Sequence, residues 1–364
     1  MPSQSEQILE LIAITGELPA AALRRLCIKE SYRYKLMANL QNKKWIKSFV
    51  RDGLKGYRLT ATAKQRLVTN NPRRFSFFLT GNAETNKLHT EITRRLRLHH
   101  TAEATVTLMN AGIKVFPDEK PPLFSRTPAA VSKPAEVVFY YSREMKNIGQ
   151  EHLKIRSSRA SGVLFTDTDI LLVYNTGKNL MKWEYQTELR CKALMNTRFC
   201  RDSATTIYTD GRTNGLMLGT DMDMAPLLLT SSGGYRRQYF RLDGTFDRFY
   251  FVPNTPDGET QLKILCSASV TNDLRKLLLS DLQAKDNGLR IEHDALTRNG
   301  TPVLLAFDFD MERIRRFHDS LEMFGQNGLI YCFDFQKPAL ETYLGTLAGF
   351  QTIDMGKVVK RFFT

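Results

Sequence analysis

The pattern of apolar and polar positions near the start of the chain predicts three short helices. Apolar residues recur every three or four positions within residues 5–13, 20–27 and 32–42. We expect Pro19 in the first turn of the second helix, because its missing N–H has no intrahelical partner there. Ser31 is placed to cap the third helix. Three short helices with tight connections predict a helix-turn-helix core.

A β-hairpin is predicted directly after the third helix. Extended segments over residues 45–50 and 57–60 flank the pair Asp52-Gly53, a strong hairpin signal. A closing helix then begins at Thr60. This order of elements is that of a winged helix, so residues 1–75 are predicted to form a winged-helix DNA-binding domain.

The docking of such a domain on double-stranded DNA predicts the contact residues. The third helix enters the major groove and the hairpin, or wing, touches the adjacent backbone. Contacts to bases and phosphates are expected from Ser31, Tyr32, Arg33, Lys35 and Asn39. Contacts mainly to phosphates are expected from Lys43, Lys44, Arg51 and Lys55. The alternative is a winged helix that serves only protein contacts, with its lysines as a solvated face.

Residues 76–135 are predicted to be a helical connector followed by a proline-rich loop. Apolar residues four apart predict a helix within 86–112, and five of the 13 prolines lie within 116–134. The arginines of this helix would extend the DNA surface or face a partner: Arg94, Arg95 and Arg97. Its histidines lack partner ligands at metal spacing and are expected at the surface or in packing contacts.

Residues 136–230 are predicted to form a central mixed α/β domain. Strands over 136–141, 162–166 and 170–174 precede a helix near 183–195, which is the order of a restriction-endonuclease-like fold. In that fold, carboxylates on adjacent strands hold Mg²⁺. The third strand reads Leu-Leu-Val-Tyr-Asn where the second carboxylate should stand, so this catalytic set is absent.

A hairpin-rich stretch over 238–265 opens the C-terminal α/β domain, predicted over 231–364. Strands at 303–307, 329–333 and 350–353 alternate with helices and predict a small parallel sheet. Carboxylates that follow these strands would converge at its carboxyl edge: Asp308, Asp310, Asp334 and Asp354. They would hold Mg²⁺ in a metal-dependent nuclease. Otherwise they cap helices, as Asp310 is placed to do, and no metal or other cofactor is expected.

The positive charge of the chain is concentrated at its front end. Of the net charge of +14, residues 1–100 carry +12, from 19 Lys and Arg against 7 Asp and Glu. A basic domain attached to a nearly neutral body is typical of proteins that bind polyanions, because phosphate neutralisation releases counterions. The charge therefore favours DNA as the partner of the winged helix.

The remaining composition predicts a cytoplasmic protein with no membrane partner. No apolar run approaches the roughly 18 residues that span a bilayer, and the first residues lack the pattern of an export signal. The five cysteines are odd in number and scattered, as reduced core thiols are. The fold class expected for the whole chain is α+β and multidomain.

The winged helix, the segments 86–112 and 116–124, and the hairpin beginning Ser-Gly-Val-Leu-Phe-Thr at residue 161 resemble the replication-relaxation family of plasmids and conjugative elements in Gram-positive bacteria. The resemblance covers about the first 200 residues. It implies a DNA-binding accessory of replication or mobilisation, with a degenerate restriction-endonuclease-like domain that has lost its metal site.

Three functions are therefore carried forward. The first is a DNA-binding protein that recognises a site on a bacterial mobile element and recruits protein partners through its body. The second is a metal-dependent nuclease that uses the C-terminal aspartates. The third is a transcriptional regulator whose body senses a ligand. A homodimer is left open, since winged-helix proteins often bind paired half-sites.

Overall fold

In a computed structural model, the chain is described at residues 3–81, 91–124, 133–148, 152–200, 208, 211–234 and 239–363. The described residues form a mixed α/β structure with three sheets. It divides into two compact units, residues 1–123 and 124–364. The boundaries predicted at residues 75, 135 and 230 stay predictions. Within the described residues, no helix has the length and apolar character needed to cross a membrane.

The first unit is built from six helices and three short strands in its described part. The helices are α1 (Gln4–Thr15), α2 (Ala20–Arg24), α3 (Glu30–Asn42), α4 (Ala61–Asn70), α5 (Pro72–Leu79) and α6 (Ile92–Asn110). The strands are β1 (Leu18–Pro19), β2 (Ile46–Arg51) and β3 (Leu54–Leu59). They form one antiparallel sheet in the order β1-β3-β2. Helix α6 packs against α1, α2 and β1, so it is part of this unit's core.

Local sequence signals explain where several of these elements begin and end. Helix α1 ends at Gly16, whose φ of 88° suits a residue without a Cβ. The Thr60 hydroxyl accepts a hydrogen bond from the Ala63 N–H and caps α4, as predicted. Strands β2 and β3 are joined by Asp52 and Gly53, whose φ angles of 50° and 74° allow a two-residue hairpin loop. The predicted hairpin is therefore present.

Two local predictions in the first unit are corrected by the structure. Pro19 is not in a helical turn, because Leu18 and Pro19 pair with β3 as strand β1 and α2 starts only after them. Ser31 is not an N-cap, because α3 begins at Glu30. The Glu30 carboxylate in this first turn complements the positive end of the helix dipole.

The second unit has nine helices and ten strands in its described part. The helices are α7 (Ser142–Met145), α8 (His152–Ile155), α9 (Tyr185–Phe199), α10 (Met224–Thr230), α11 (Pro256–Leu265), α12 (Ala268–Leu279), α13 (Met311–Phe324), α14 (Lys337–Leu344) and α15 (Met355–Phe362). The strands are β4 (Val138–Tyr141), β5 (Gly162–Phe165), β6 (Ile170–Gly177), β7 (Thr213–Gly219), β8 (Phe249–Pro253), β9 (Gln283–Ala284), β10 (Ala295–Leu296), β11 (Pro302–Leu305), β12 (Gly328–Phe333) and β13 (Ala348–Ile353).

One sheet of the second unit has five strands in the order β4-β5-β6-β7-β8. Strands β4 to β6 are antiparallel, and β6, β7 and β8 run parallel, with α9 in the connection from β6 to β7. The stretch predicted to be hairpin-rich, 238–265, differs from expectation. It holds the parallel strand β8 and then α11, which Thr255 caps and Pro256 opens.

The other sheet has the order β13-β12-β11-β10-β9. Strands β11, β12 and β13 are parallel, as predicted, and β9 and β10 are antiparallel additions at one edge. The two sheets meet at β8. There the Phe251 N–H donates to the Phe309 carbonyl at 3.0 Å, and the Phe249 N–H donates to the Asp310 carboxylate at 3.1 Å.

Candidate nucleic-acid interface

Helix α3 has one buried face and one exposed polar face. Its buried face consists of Leu36, Met37 and Leu40, which are at most 6% exposed. Four of the predicted contact residues lie exposed on this helix: Ser31, Tyr32, Lys35 and Asn39. Tyr34, which the sequence analysis did not single out, is the most exposed aromatic residue of this helix at 69%. Its position away from the apolar stripe was the available signal. The helix thus offers hydrogen-bonding and aromatic groups to solvent.

Arg33 lies where the sequence analysis did not expect it. Its side chain is only 10% exposed, and its guanidinium is 3.5 Å from the Glu30 carboxylate. The base-reading role predicted for Arg33 requires an exposed guanidinium, which this conformation does not provide. The spacing in the sequence indicates this burial, since Arg33 precedes Met37 by four residues and so shares the buried face of the helix.

The other predicted cations are exposed beyond the end of α3 and at the hairpin. Lys43 and Lys44 directly follow α3, and the Lys43 ammonium lies 5.0 Å from the centre of the Trp45 ring. Arg51 and Lys55 flank the hairpin turn. Lys47, on the edge strand β2, is a further exposed cation that the sequence analysis missed. A single lysine within a strand gave no distinctive signal for it.

Other arginines of the first unit are largely withdrawn from solvent and paired with carboxylates. Arg74 contacts Glu10, Asp118 and Glu119 at 3.1 to 3.3 Å. By contrast, no carboxylate of the described residues lies within 4 Å of the ammonium groups of the exposed lysines Lys35, Lys44, Lys47 and Lys55. The positive charge is therefore divided between a structural set and a set open to a partner.

Glu17 is the centre of the most buried charge cluster in the described part of the first unit. It is fully buried, and it accepts hydrogen bonds from Arg58 Nε at 2.8 Å and Arg95 Nε at 3.2 Å. His99 Nε2 lies 2.9 Å from the same carboxylate. Burial alone would raise the pKa of Glu17, but the hydrogen bonds from His99, Arg95 and Arg58 lower this pKa to about 2. Glu17 is therefore ionised at neutral pH.

Arg95 also fixes the position of the hairpin. Its guanidinium donates to the carbonyls of Phe49 and Arg51 on β2, each at 3.2 Å, and of Leu54 on β3 at 3.0 Å. Arg94 and Arg97 remain exposed on α6. Of the three α6 arginines, Arg95 therefore has a structural role, because it anchors the hairpin that presents Arg51 and Lys55.

Most of the four C-terminal aspartates cap a helix or lie near a cation of the protein. Asp310 accepts a hydrogen bond from the Glu312 N–H and caps α13, and Asp354 caps α15 in the same way. Asp308 lies 3.8 Å from the Arg275 guanidinium, and Asp334 begins a short 3-10 turn. Among the described residues, no group of three or more His, Cys, Asp and Glu side chains is arranged to hold a metal ion.

Asp310 is nevertheless an unusual carboxyl group. It is 1% exposed, and burial together with the nearby Asp308 charge raises the pKa of Asp310 to about 7. One of its oxygens accepts from the Phe249 N–H, whereas Oδ2 has no hydrogen-bond partner among the described residues. Its protonation therefore changes near neutral pH.

Comparison of the chain with protein-family models, curated proteins and solved structures finds no match. The resemblance to the replication-relaxation family accordingly stays a prediction. The geometry and charge of the two units provide the basis for the functions proposed next.

Proposed function

We propose that the first unit binds double-stranded DNA as a winged helix. Helix α3 lies in the major groove, and the hairpin β2–β3 is the wing that contacts the adjacent backbone. The element order supports this proposal: three helices are followed by a hairpin and a closing helix. The exposed hydroxyl, amide and phenol groups of α3 supply donors and acceptors suited to base edges and phosphates.

The observation that carries the proposal is the division of the positive charges between arginines paired with carboxylates and exposed lysines. The cations that hold the first unit together are paired with carboxylates: Arg58 and Arg95 are buried, and Arg74 is partly buried. Lysines on α3, after it and along the hairpin have no such partners among the described residues. Unpaired lysines at consecutive elements suit a polyanion, because each phosphate contact releases condensed counterions.

The cellular role that we propose is site recognition on a bacterial plasmid or other mobile element. In this role the protein is an accessory of replication, mobilisation or their regulation, and its second unit contacts protein partners. The resemblance of the sequence to the replication-relaxation family supports this context. In the second unit, the antiparallel strands β4 to β6 followed by α9 and β7 are compatible with the restriction-endonuclease-like domain that the resemblance implies.

Binding of fluorescently labelled duplex DNA to the full chain, measured by anisotropy over a salt series, tests the proposal. The double variant Lys44→Gln/Lys55→Gln should weaken binding to all duplexes about equally. It should also reduce the slope of log K against log salt by about 2, since each phosphate contact contributes roughly 0.9.

The matched control is Lys285→Gln/Lys357→Gln, which removes the same charge from exposed positions of the second unit. It should leave the affinity and the slope nearly unchanged. Equal losses in both double variants would show that net charge alone attracts the DNA, and no binding by the unmodified chain would refute the proposal.

A further inference from the structure

The second unit contains a cavity of about 550 Å³ at the edge of the sheet where β6, β7 and β8 begin. Its wall includes the turn between β5 and β6 and the residues just before β7 and β8. This volume lies within the range of sites that hold small molecules or cofactors, roughly 300 to 1,000 Å³.

The carboxylates of the cavity are engaged by other groups of the protein. Asp167 accepts a hydrogen bond from the Ala268 N–H at 3.1 Å, and Asp169 accepts from the Thr168 hydroxyl at 3.0 Å. Asp247 lies 3.9 Å from the Lys192 ammonium. Of these contacts only the Lys192 ammonium offsets negative charge, and the three carboxylates are otherwise balanced by Lys133, Arg212 and Arg248 in the same wall.

The cations of the cavity have fewer hydrogen-bond and ion-pair partners among the described residues. Arg212 is exposed, and no described residue forms an ion pair or hydrogen bond with its guanidinium. Arg248 uses one nitrogen to donate to the Tyr250 hydroxyl at 3.3 Å, and Lys133 donates to the Asp167 carbonyl. Several N–H donors therefore remain for an anionic group, and a phosphate with its three terminal oxygens matches the planar donors of arginine.

Asn214 supplies an acceptor in the same wall. The residue is only 3% exposed, and its side-chain Nδ2 is directed towards Asp169 Oδ1 at 3.5 Å. Its Oδ1 is buried and has no hydrogen-bond partner among the described residues. A buried acceptor without a partner destabilises the protein, so a rotation of the Asn214 side chain that brings Oδ1 to an O–H or N–H group of a ligand would be favoured.

We propose that this cavity binds a small phosphate ester that also carries hydroxyl or amino donors. The shared chemistry is that of a sugar phosphate, either free or as part of a mononucleotide. Its phosphate pairs with Arg212 and Arg248, and a hydroxyl or amino group donates to Asn214 Oδ1. Inorganic phosphate has no carbon skeleton to hold a hydroxyl or amino donor away from the arginines, and it would leave much of the volume unfilled. This site is separate from the proposed DNA contacts, all of which lie in the first unit.

Isothermal titration calorimetry on the full chain tests the proposal with three probes at constant ionic strength: ribose 5-phosphate, adenosine 5′-monophosphate and inorganic phosphate. At least one organic phosphate should bind more tightly than inorganic phosphate. Arg212→Gln should weaken that binding roughly tenfold to a hundredfold, the usual effect of a lost charge-assisted hydrogen bond. Asn214→Ala should abolish the preference over inorganic phosphate.

The matched control is Arg298→Gln, at an exposed arginine outside the cavity, which should leave the affinity unchanged. Tight binding of ribose 5-phosphate would show that the sugar phosphate suffices, and binding of the nucleotide alone would assign the base as well. The proposal is overturned if neither organic phosphate binds, if inorganic phosphate binds equally well, or if Arg212→Gln has no effect. Displacement of the organic phosphate by duplex DNA at this site would instead assign a nucleic-acid backbone.

Discussion

Arg95 Nε lies 3.2 Å from both carboxylate oxygens of Glu17, although 78 residues separate the two in sequence. Arg95 is on α6, and Glu17 precedes β1, so the ion pair connects the last helix of the first unit to its sheet. The same guanidinium bonds to hairpin carbonyls. The position of the proposed wing therefore depends on the buried ion pair between Arg95 and Glu17.

Replacing Glu17 by glutamine should strongly destabilise the first unit. The substitution leaves the Arg58 and Arg95 guanidiniums buried without a neutralising carboxylate, a change that typically costs about 3 to 5 kcal/mol. Equilibrium unfolding in urea would measure it. The control Glu30→Gln alters a carboxylate that is 71% exposed, and it should cost less than about 1 kcal/mol through its helix-dipole and Arg33 contacts.

The contribution of Glu17 should also depend on acid pH. Because the pKa of Glu17 is lowered to about 2 in the fold, against about 4.3 in an unfolded chain, its stabilisation is complete above the unfolded value. It should disappear as the pH falls from about 4 towards 2. The difference in unfolding free energy between the unmodified chain and Glu17→Gln should shrink over that interval, and a difference that stays constant would contradict the assignment.

Asp310 should show the opposite dependence on pH. Its pKa is raised to about 7, so the folded state holds a proton that the unfolded state has already lost above about pH 4. Stability should therefore fall as the pH rises from about 4 to 7. Asp310→Asn keeps an oxygen acceptor for the Phe249 and Glu312 N–H groups without acquiring the charge. We expect this variant to be more stable than the unmodified chain at pH 8 and to lose that advantage towards pH 4, as measured by urea unfolding.

Arg95→Lys should loosen the hairpin. A lysine ammonium has three donors on a flexible stem and cannot reproduce the planar set of bonds to Glu17 and to the carbonyls of β2 and β3. Amide hydrogen exchange at residues 49–55 should accelerate relative to α1. The adjacent Arg94→Lys, at an exposed position, should leave exchange unchanged, and similar rates in both variants would exclude the anchoring role.

Gly56→Ala should disrupt the contact between β3 and the charge cluster. A Cβ at Gly56 would overlap the Glu17 carboxylate, which has no space to move because its partners surround it. Overpacking of this kind typically costs about 1 to 3 kcal/mol. The control is Gly349→Ala on β13, where the nearest atom would lie at an ordinary 3.6 Å. Thermal unfolding of both variants would measure the difference.

The elements of the first unit could largely be predicted from local patterns, because helix periodicity and the Asp52-Gly53 turn involve near neighbours in sequence. The charge cluster could not. Glu17, Arg58 and His99 meet only after the strands and α6 have packed, and nothing in their separate sequence neighbourhoods indicates that they are partners. Their burial also reverses the usual expectation that charged residues are exposed.

The second unit shows the same limit at its carboxylates. The parallel strands β11 to β13 could be predicted, and the aspartates do follow them. Whether such residues converge on one site or cap helices depends on side-chain geometry. Asp310 and Asp354 each cap a helix. The cavity beside β6 to β8 could not be predicted, since Arg212 and Asn214 reach it only because β7 lies between β6 and β8.

The contacts of Arg95 have a consequence for the alignment of the hairpin. Its three carbonyl acceptors lie on both strands, at Phe49, Arg51 and Leu54. A slip of one residue between β2 and β3 would exchange the faces of their side chains and move these carbonyls away from the guanidinium. Apolar replacement of a buried charge cluster is often neutral or stabilising, so this cluster would contribute more to selection between alternative registers than to net stability. In this protein the buried ions would select the one strand alignment that puts Arg51 and Lys55 at the tip.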